Sequence, residues 1–290
     1  MIIRQILAKY QDLEIDILLS EALKKSREFL FMNQGYRISE SQSVRLQKLI
    51  KRRQKGEPIA YMLGYKDFCG LRFKVNKHVL IPRPETETLV ELALDQIQNA
   101  EFRMRNRPTK ILDVGTGSGA VIVSIAREFT KMTLAQRKGH LCVEFYASDI
   151  SSEALKVAKA NAKAHKVNIK FIKSDLFKNI KGKFDIIVAN LPYGWKEWKN
   201  NTSAATIGLK FEPKQALFTG KKGLYEISRL LEQISGKTKQ PYAVFLEFDP
   251  RQKSALEKEI KKILPNAGVR FYKDFNSLWR IAEIILQPSS

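Results

Sequence analysis

Apolar residues recur at helical spacing through the first third of the chain and then give way to short unbroken or alternating runs, so a helical segment is followed by an α/β one. Ile3, Ile6 and Leu7, then Leu13, Ile17, Leu18, Ala22 and Leu23, then Val44, Leu46, Leu49 and Ile50 each place apolar side chains on one helical face. Ser39 followed by Gln42 has the form of a capping box, and Gly56 and Pro58 supply a terminating glycine and a breaker. Tyr65 to Val75 alternates as a hairpin does, with Cys69-Gly70 at its turn. From Val79 to Glu87 two prolines fix an extended path, and acidic residues suit the positive first turn of a helix running to about Ala100. Short apolar strands follow at Lys110 to Val114, Val143 to Ala147, Ile169 to Lys173, Phe184 to Ala189 and Tyr242 to Phe248. Helical patterns over Val121 to Phe129, Ser151 to His165, Tyr225 to Ile234 and Arg251 to Leu264 separate most of them. Thr130 to His140 reads as a polar loop, and Phe271 to Phe275 with Trp279 to Leu286 as a closing pair of strands. Strands alternating with helices predict a mostly parallel seven-stranded sheet with an antiparallel edge.

Candidate chemistry gathers at three strand ends. Asp113-Val114-Gly115-Thr116-Gly117-Ser118-Gly119 is a strand running into a glycine-rich turn, where the glycines allow tight bending and close backbone approach to a ligand. Gly115-x-Gly117-x-x-Ala120 also fits a dinucleotide fingerprint, but the next acidic strand end, Asp149, lies well beyond the roughly 20-residue offset of that pattern. Asp149 is placed either to accept the two hydroxyls of a ribose or to cap the helix that begins at Ser151. Phe184 to Ala189, apolar throughout, suits the centre of a sheet covered on both faces and delivers Asn190-Leu191-Pro192-Tyr193 to the carboxyl ends of the strands, where open α/β sheets bind ligands. The Asn190 side-chain oxygen and the Leu191 carbonyl can both accept hydrogen bonds there, and Tyr193 offers a flat aromatic face.

An acidic residue, one spacer and alternating glycines resemble motif I of the S-adenosylmethionine-dependent methyltransferases. Gly56-Glu57-Pro58-Ile59-Ala60-Tyr61-Met62-Leu63-Gly64, followed by Ile81-Pro82-Arg83-Pro84-Glu85-Thr86-Glu87, resembles the signature of the release factor glutamine methyltransferases, and Phe211-Glu212-Pro213 is similar to a tripeptide of the same family. The resemblance covers nearly the whole chain. It implies a Rossmann-like class I methyltransferase domain over residues 81–290, an N-terminal helical substrate-recognition domain over 1–65 and a hairpin linker over 66–80. It implies S-adenosylmethionine as cofactor, held by Asp113, Gly115, Thr116, Gly117, Ser118, Gly119, Asp149, Asp175, Leu176 and Asn190, with Asp175 reading the adenine amino group and Leu176 bordering the ring. It implies a class I peptide chain release factor as substrate, its Gly-Gly-Gln glutamine bound by Asn190, Leu191, Pro192, Tyr193 and Arg83, with the tetrapeptide carrying catalysis. Two departures stand out: the family frequently has tryptophan where Leu176 stands, and its tetrapeptide is Asn-Pro-Pro-Tyr. Asn-Leu-Pro-Tyr is familiar instead from the ribosomal RNA adenine dimethyltransferases, so an N6-adenine methyltransferase remains an alternative. That family carries its helical domain after the catalytic core and lacks the Ile81 to Glu87 segment. Gly194 to Leu209, with Trp195 and Trp198, is a polar and aromatic loop suited to a substrate lid or simply packed down.

Composition changes this picture little. A chain of 290 residues with 44% hydrophobic content buries a full core, and no apolar run approaches the roughly 20 residues of a membrane span. Cys69 and Cys142 fit no metal spacing and read as free buried thiols of a reducing compartment, so a cytoplasmic protein without metal or membrane is expected, most simply a monomer. The net charge of +21 is scattered through every segment. It fits a solvated lysine-rich surface, an acidic protein partner, or proximity to the ribosome or RNA, the last including a non-catalytic binding module.

Overall fold

The structure, a computed structural model, describes residues 1–10, 14–99, 107–136, 142–195, 206–236 and 240–286. The chain divides into two compact units, Met1–Tyr65 with Ser203–Phe211, and Lys66–Thr202 with Glu212–Ser290.

The first unit is helical: α1 (Ile3–Lys9), α2 (Ile15–Leu23), α3 (Arg27–Met32), α4 (Glu40–Gln54) and α5 (Ile59–Leu63). Its core is Ile3, Ile6, Leu18, Leu19, Ala22, Leu30, Leu46, Leu49, Ile50 and Met62 with their neighbours. Helix α4 begins with the capping box expected of Ser39 and Gln42, each side chain bonded to the other residue's backbone N–H. Val44, read as a core position, is exposed on that helix, because the buried stripe runs through Leu46, Leu49 and Ile50. Leu13 and Trp198 lie outside the described residues. Pro58 does more than break a helix, since its rigid φ opens α5, which ends at Gly64 in the left-handed conformation.

In the second unit the hairpin β1 (Tyr65–Phe68) and β2 (Leu71–Lys74) turns at Cys69-Gly70 as expected. Phe68 and Phe73 enter the core beside the sheet. A short turn at Pro84–Thr86 leads into α6 (Glu87–Asn99), and Glu87 Oε1 accepts from the Cys69 N–H at 2.8 Å. The remaining elements are β3 (Thr109–Val114), α7 (Ala120–Gln136), β4 (Val143–Asp149), α8 (Ser152–Ala164), β5 (Ile169–Lys173), β6 (Ile186–Ala189), α9 (Thr206–Leu209, in the first unit), α10 (Lys214–Leu217), α11 (Tyr225–Ser235), β7 (Ala243–Glu247), α12 (Lys253–Ile263), β8 (Gly268–Lys273) and β9 (Trp279–Ile285).

Seven strands form one sheet of order β5-β4-β3-β6-β7-β9-β8. Pairing is parallel from β5 through β7, and β9 runs antiparallel to both of its neighbours. Strands β3, β6 and β7 are central and buried on both faces, which is why their sequences are nearly continuous apolar runs. Residues 130–136, expected as loop, continue α7. Thr130 Oγ1 donates back to the Ala126 carbonyl at 2.8 Å, so its polar side chain is accommodated within the helix. Strand β8 starts three residues before the expected Phe271 and stops before Asp274, whose carboxylate accepts from the Asn276 and Leu278 N–H groups and turns the chain. Cys69 is half-buried but Cys142 is exposed, in contrast to the buried thiol expected there. Burial and the nearby Glu87 push the Cys69 thiol up to about 12, so it stays protonated and unreactive. No described helix is long and apolar enough to cross a membrane.

Candidate active site

The carboxyl ends of β3, β4, β5 and β6 surround a cavity of about 350 Å³. Its lining includes Asp113, Gly115, Thr116, Gly117 and Ser118 from the glycine-rich turn, Asp149 from β4, Asp175 and Leu176 after β5, and Asn190, Leu191 and Pro192 after β6. Arg83 and Thr86 reach it from the proline-rich segment. Residues separated by more than 100 positions in sequence thus share one concavity, because a parallel sheet brings every strand's carboxyl end to the same side.

The turn after β3 is held open by its glycines. Gly115, Gly117 and Gly119 have φ values of 75°, 55° and 81°, the left-handed region that other residues avoid. The Gly115 and Thr116 N–H groups both donate to the Ser148 carbonyl at 2.9 Å. Nothing lies within 4 Å of where a Gly117 side chain would project, so this backbone is open to a ligand. Gly119 has a different task. A Cβ there would come within 3.1 Å of the Ala158 Cβ on α8, and Gly119 does not line the cavity; it lets α8 approach the turn. Asn161 on α8 fastens the same region by donating to the Ser118 and Lys74 carbonyls at 2.8 and 3.0 Å and accepting from the Lys74 N–H.

Two carboxylates flank this turn. Asp149 Oδ2 accepts from the Gly117 N–H at 2.9 Å and Oδ1 from the Ser151 N–H at 2.8 Å, leaving further lone pairs on both oxygens. The cap of α8 is Ser151, whose Oγ accepts from the Ala154 N–H at 3.2 Å, so capping does not consume Asp149. Burial raises its pKa against those backbone N–H bonds. Asp113 is buried below the turn and accepts from the Thr116 hydroxyl at 2.6 Å. Burial, then the Asp149 charge, pushes its carboxyl up to about 7.

At the far end of the cavity Asp175 accepts from Arg229 of α11 at 2.7 Å, and Arg229 also grips Glu226. Leu176 follows with φ of 46°, an unfavourable conformation for a branched residue, and is buried against the cavity. Arg229 lines the same cavity, and nothing in the sequence around it had marked it.

The tetrapeptide after β6 is held from several directions. The Asn190 Nδ2 donates to the Thr86 hydroxyl at 3.1 Å. Leu191 is buried, with its Cδ2 3.0 Å from where a Gly115 Cβ would stand. Tyr193 does not line the cavity; its hydroxyl donates to Glu247 Oε1 at 2.9 Å, and burial, then the Glu247 charge, raises its pKa well above the usual phenol value. The Tyr193 carbonyl accepts from Gln252 Nε2 at 2.9 Å and lies 2.0 Å from where a Gly223 Cβ would be, so only glycine fits at 223. Trp195 stacks against Arg251, whose guanidinium carbon is 4.7 Å from the ring centre. Arg83 pairs with the buried Glu212, which also accepts from the Ile81 N–H at 3.0 Å. Glu212 thereby pins the proline-rich segment beside the cavity. Among the described residues, no cluster of three or more His, Cys, Asp or Glu side chains is placed to hold a metal ion.

An open sheet of this order, with a glycine-rich turn after its central strand and an acidic residue at the end of the neighbouring one, defines a class I methyltransferase, and the cavity fits S-adenosylmethionine. Residues 4–64 match the PrmC N-terminal domain family and residues 105–266 a methyltransferase domain family. The release factor glutamine methyltransferase of Haemophilus influenzae is 36% identical over 80% of this chain and 77% of its own length, and that of Pasteurella multocida is 34% identical over 91% and 88%. This chain belongs to the release factor glutamine methyltransferase family. The crystal structure of the hMettl16 catalytic domain with MAT2A 3'UTR hairpin 1 shares the fold, with a TM-score of 0.55 and 11% identity over 93% of this chain and 92% of that one.

Proposed function

We propose that this protein transfers the methyl group of S-adenosylmethionine to the side-chain amide nitrogen of the glutamine in the Gly-Gly-Gln motif of a class I peptide chain release factor. The observation that carries the reading is that the glycine-rich turn, Asp149 and the Asn190-Leu191-Pro192 stretch line one cavity in a chain of this family. The cofactor supplies an electrophilic methyl group on a sulfonium. Asp149 holds the ribose through its remaining lone pairs, Gly115 to Ser118 accommodate the rest of that half of the molecule against open backbone, and Asp175 with Leu176 borders the adenine. Asn190 and the Leu191 carbonyl accept from the incoming amide NH2, which orients the nitrogen and favours the charge it develops. The methylated nitrogen becomes acidic enough to lose its proton to water, so no general base is needed.

Tyr193 plays its part from behind. Its hydroxyl is committed to Glu247, so it supports the tetrapeptide and leaves Asn190, Leu191 and Arg83 to meet the substrate. The helical segment of residues 1–65 recognises the release factor, and Lys66 onwards carries the chemistry. The reaction takes place in the cytoplasm, by a monomer, on a factor free or close to the ribosome.

Incubation of the protein with isotope-labelled S-adenosylmethionine and, separately, a release factor and small-subunit ribosomal RNA tests the assignment. Mass spectrometry is expected to find the label on the Gly-Gly-Gln glutamine. Label on RNA adenine and none on glutamine would mean that Asn-Leu-Pro-Tyr acts here as it does in the adenine dimethyltransferases.

A further inference from the structure

Arg229 lines the cavity, yet the reaction proposed above leaves it without a task. An arginine loses much rotamer freedom when it is fixed at the wall of a site, so what it does there must offset that loss.

Helix α11 meets the turn after β5 at two points one helical turn apart. Arg229 Nη2 donates to Asp175 Oδ2 at 2.7 Å, and Gln233 Oε1 accepts from the Phe177 N–H at 2.8 Å. Leu176, with its φ of 46°, is held between them. The helix is anchored by Ile227, Leu230, Leu231 and Ile234, all buried. The arginine is fixed in turn, because its Nη1 donates to Glu226 Oε2 at 2.7 Å, three residues back on the same helical face.

Asp175 stands between two surroundings. It lines the cavity, and with Phe177, Lys178, Gln233 and Gly236 it also borders an open depression. Its side chain is 34% exposed. A carboxylate so placed gains hydration by turning to the open side, and a partner on one oxygen decides where the other points. Oδ2 is taken by Arg229, while Oδ1 accepts no hydrogen bond from the described residues.

We propose that Arg229 is a positioning residue for the adenine of S-adenosylmethionine: by holding one Asp175 oxygen it presents the other to the exocyclic 6-amino group. The proposal rests on the reading of Asp175 as the adenine contact and adds the residue that fixes its direction. A carboxylate oxygen accepts and a 6-amino group donates, so the pair selects a 6-aminopurine. Holding Asp175 in place beforehand also removes the cost of ordering it when the cofactor binds.

The test is calorimetry on the full chain with two ligands, S-adenosylhomocysteine and its analogue with hydrogen in place of the 6-amino group. The ratio of their affinities reads the amino contact alone. Wild type is expected to favour S-adenosylhomocysteine by about 10- to 100-fold. Arg229→Met, similar in length but without donors, should cut that preference by about 3- to 10-fold, almost all of it through S-adenosylhomocysteine. In the Asp175→Asn background the sign reverses. Arg229 there holds the amide oxygen and turns the NH2 towards the base, donor against donor, so the analogue binds at least as tightly as S-adenosylhomocysteine. Adding Arg229→Met frees the amide to turn and restores a preference for S-adenosylhomocysteine, a gain that the loss of a merely structural side chain does not produce. Arg229→Ala serves in both comparisons if the methionine variant is unfolded. Given a wild type that prefers S-adenosylhomocysteine, an unchanged preference in Arg229→Met, equal losses for both ligands, or no gain in the Asp175→Asn background would each overturn the proposal and leave the Asp175 contact standing. A wild type that binds the two ligands alike, or binds neither, removes the Asp175 contact itself and the role of Arg229 with it.

Discussion

Asp113 and Asp149 flank one glycine-rich turn and are treated differently by it. Asp149 has backbone donors on both oxygens and stays at the cavity wall, so Asp149→Ala should leave the fold intact while removing a charged acceptor for the ribose. Calorimetry should show S-adenosylhomocysteine affinity about 10- to 100-fold lower; an unchanged affinity would leave the residue to support the Ser151 turn alone. Asp113 is buried, bonded to the Thr116 hydroxyl and the Ile122 backbone, and its carboxyl stands at about 7. A carboxyl whose folded pKa is raised holds its proton more tightly in the native state, so its contribution to stability is complete below the ordinary carboxylate range and is lost as pH rises towards about 7. Asp113→Asn, which cannot ionise, should therefore gain in thermal midpoint relative to wild type between pH 5 and about pH 8. A constant difference across that range would show that Asp113 is not titrating. Gly115, Gly117, Asp149 and Asn190 to Pro192 were legible as cavity residues because each sits in a contiguous motif at a strand end, whereas Gly119 and Tyr193 of the same motifs do not line the cavity. Arg229 and Glu247 were not legible, and Glu212 was marked only as part of the Phe211-Glu212-Pro213 tripeptide, with no role. Their partners Asp175, Tyr193 and Arg83 lie 54, 54 and 129 positions away, and in a lysine-rich, charge-dense chain nothing local distinguishes a charged side chain with a partner distant in sequence from a solvated one.

At the level of elements, close approach decides more than propensity. Gly119 lets α8 come against the turn, and a methyl there meets both backbone and side chain of Ala158 in a conformation that disfavours side chains. Gly119→Ala is expected to cost about 1–3 kcal/mol in denaturant unfolding, although residue 119 does not line the cavity. Leu191→Pro tests the opposite case. Pro192 already biases residue 191 towards the extended region, so turnover should match or modestly exceed wild type in single-turnover assays; a collapse of the rate would show that the Leu191 side chain, packed at Gly115, is needed. The long elements were readable because periodicity accumulates over three turns or a whole buried strand. The four- to six-residue helices α3, α5, α9 and α10 were not, since two turns or fewer carry no period, and α7 runs past the expected loop start because exposed polar residues such as Thr130 and Lys131 have the composition of a loop.

The charge of +21 is scattered through every segment of the sequence, and its use is expected to be docking and not chemistry. Methylation of a full release factor should then fall with added salt more steeply than methylation of a short Gly-Gly-Gln peptide; parallel salt slopes in kcat/KM would remove docking as its purpose. The structure returns Ser203–Phe211 to the unit formed by Met1–Tyr65, a crossing no local pattern announces. Gly208 lies against Pro58 within that unit, where a Cβ would be 3.5 Å from the proline ring. The first unit is therefore not a cassette. A chimera that exchanges residues 1–65 between relatives carries a mismatched seam unless the stretch from 203 to 211 travels with it, so moving the whole unit by recombination requires two exchanges in one gene where a contiguous module would need one.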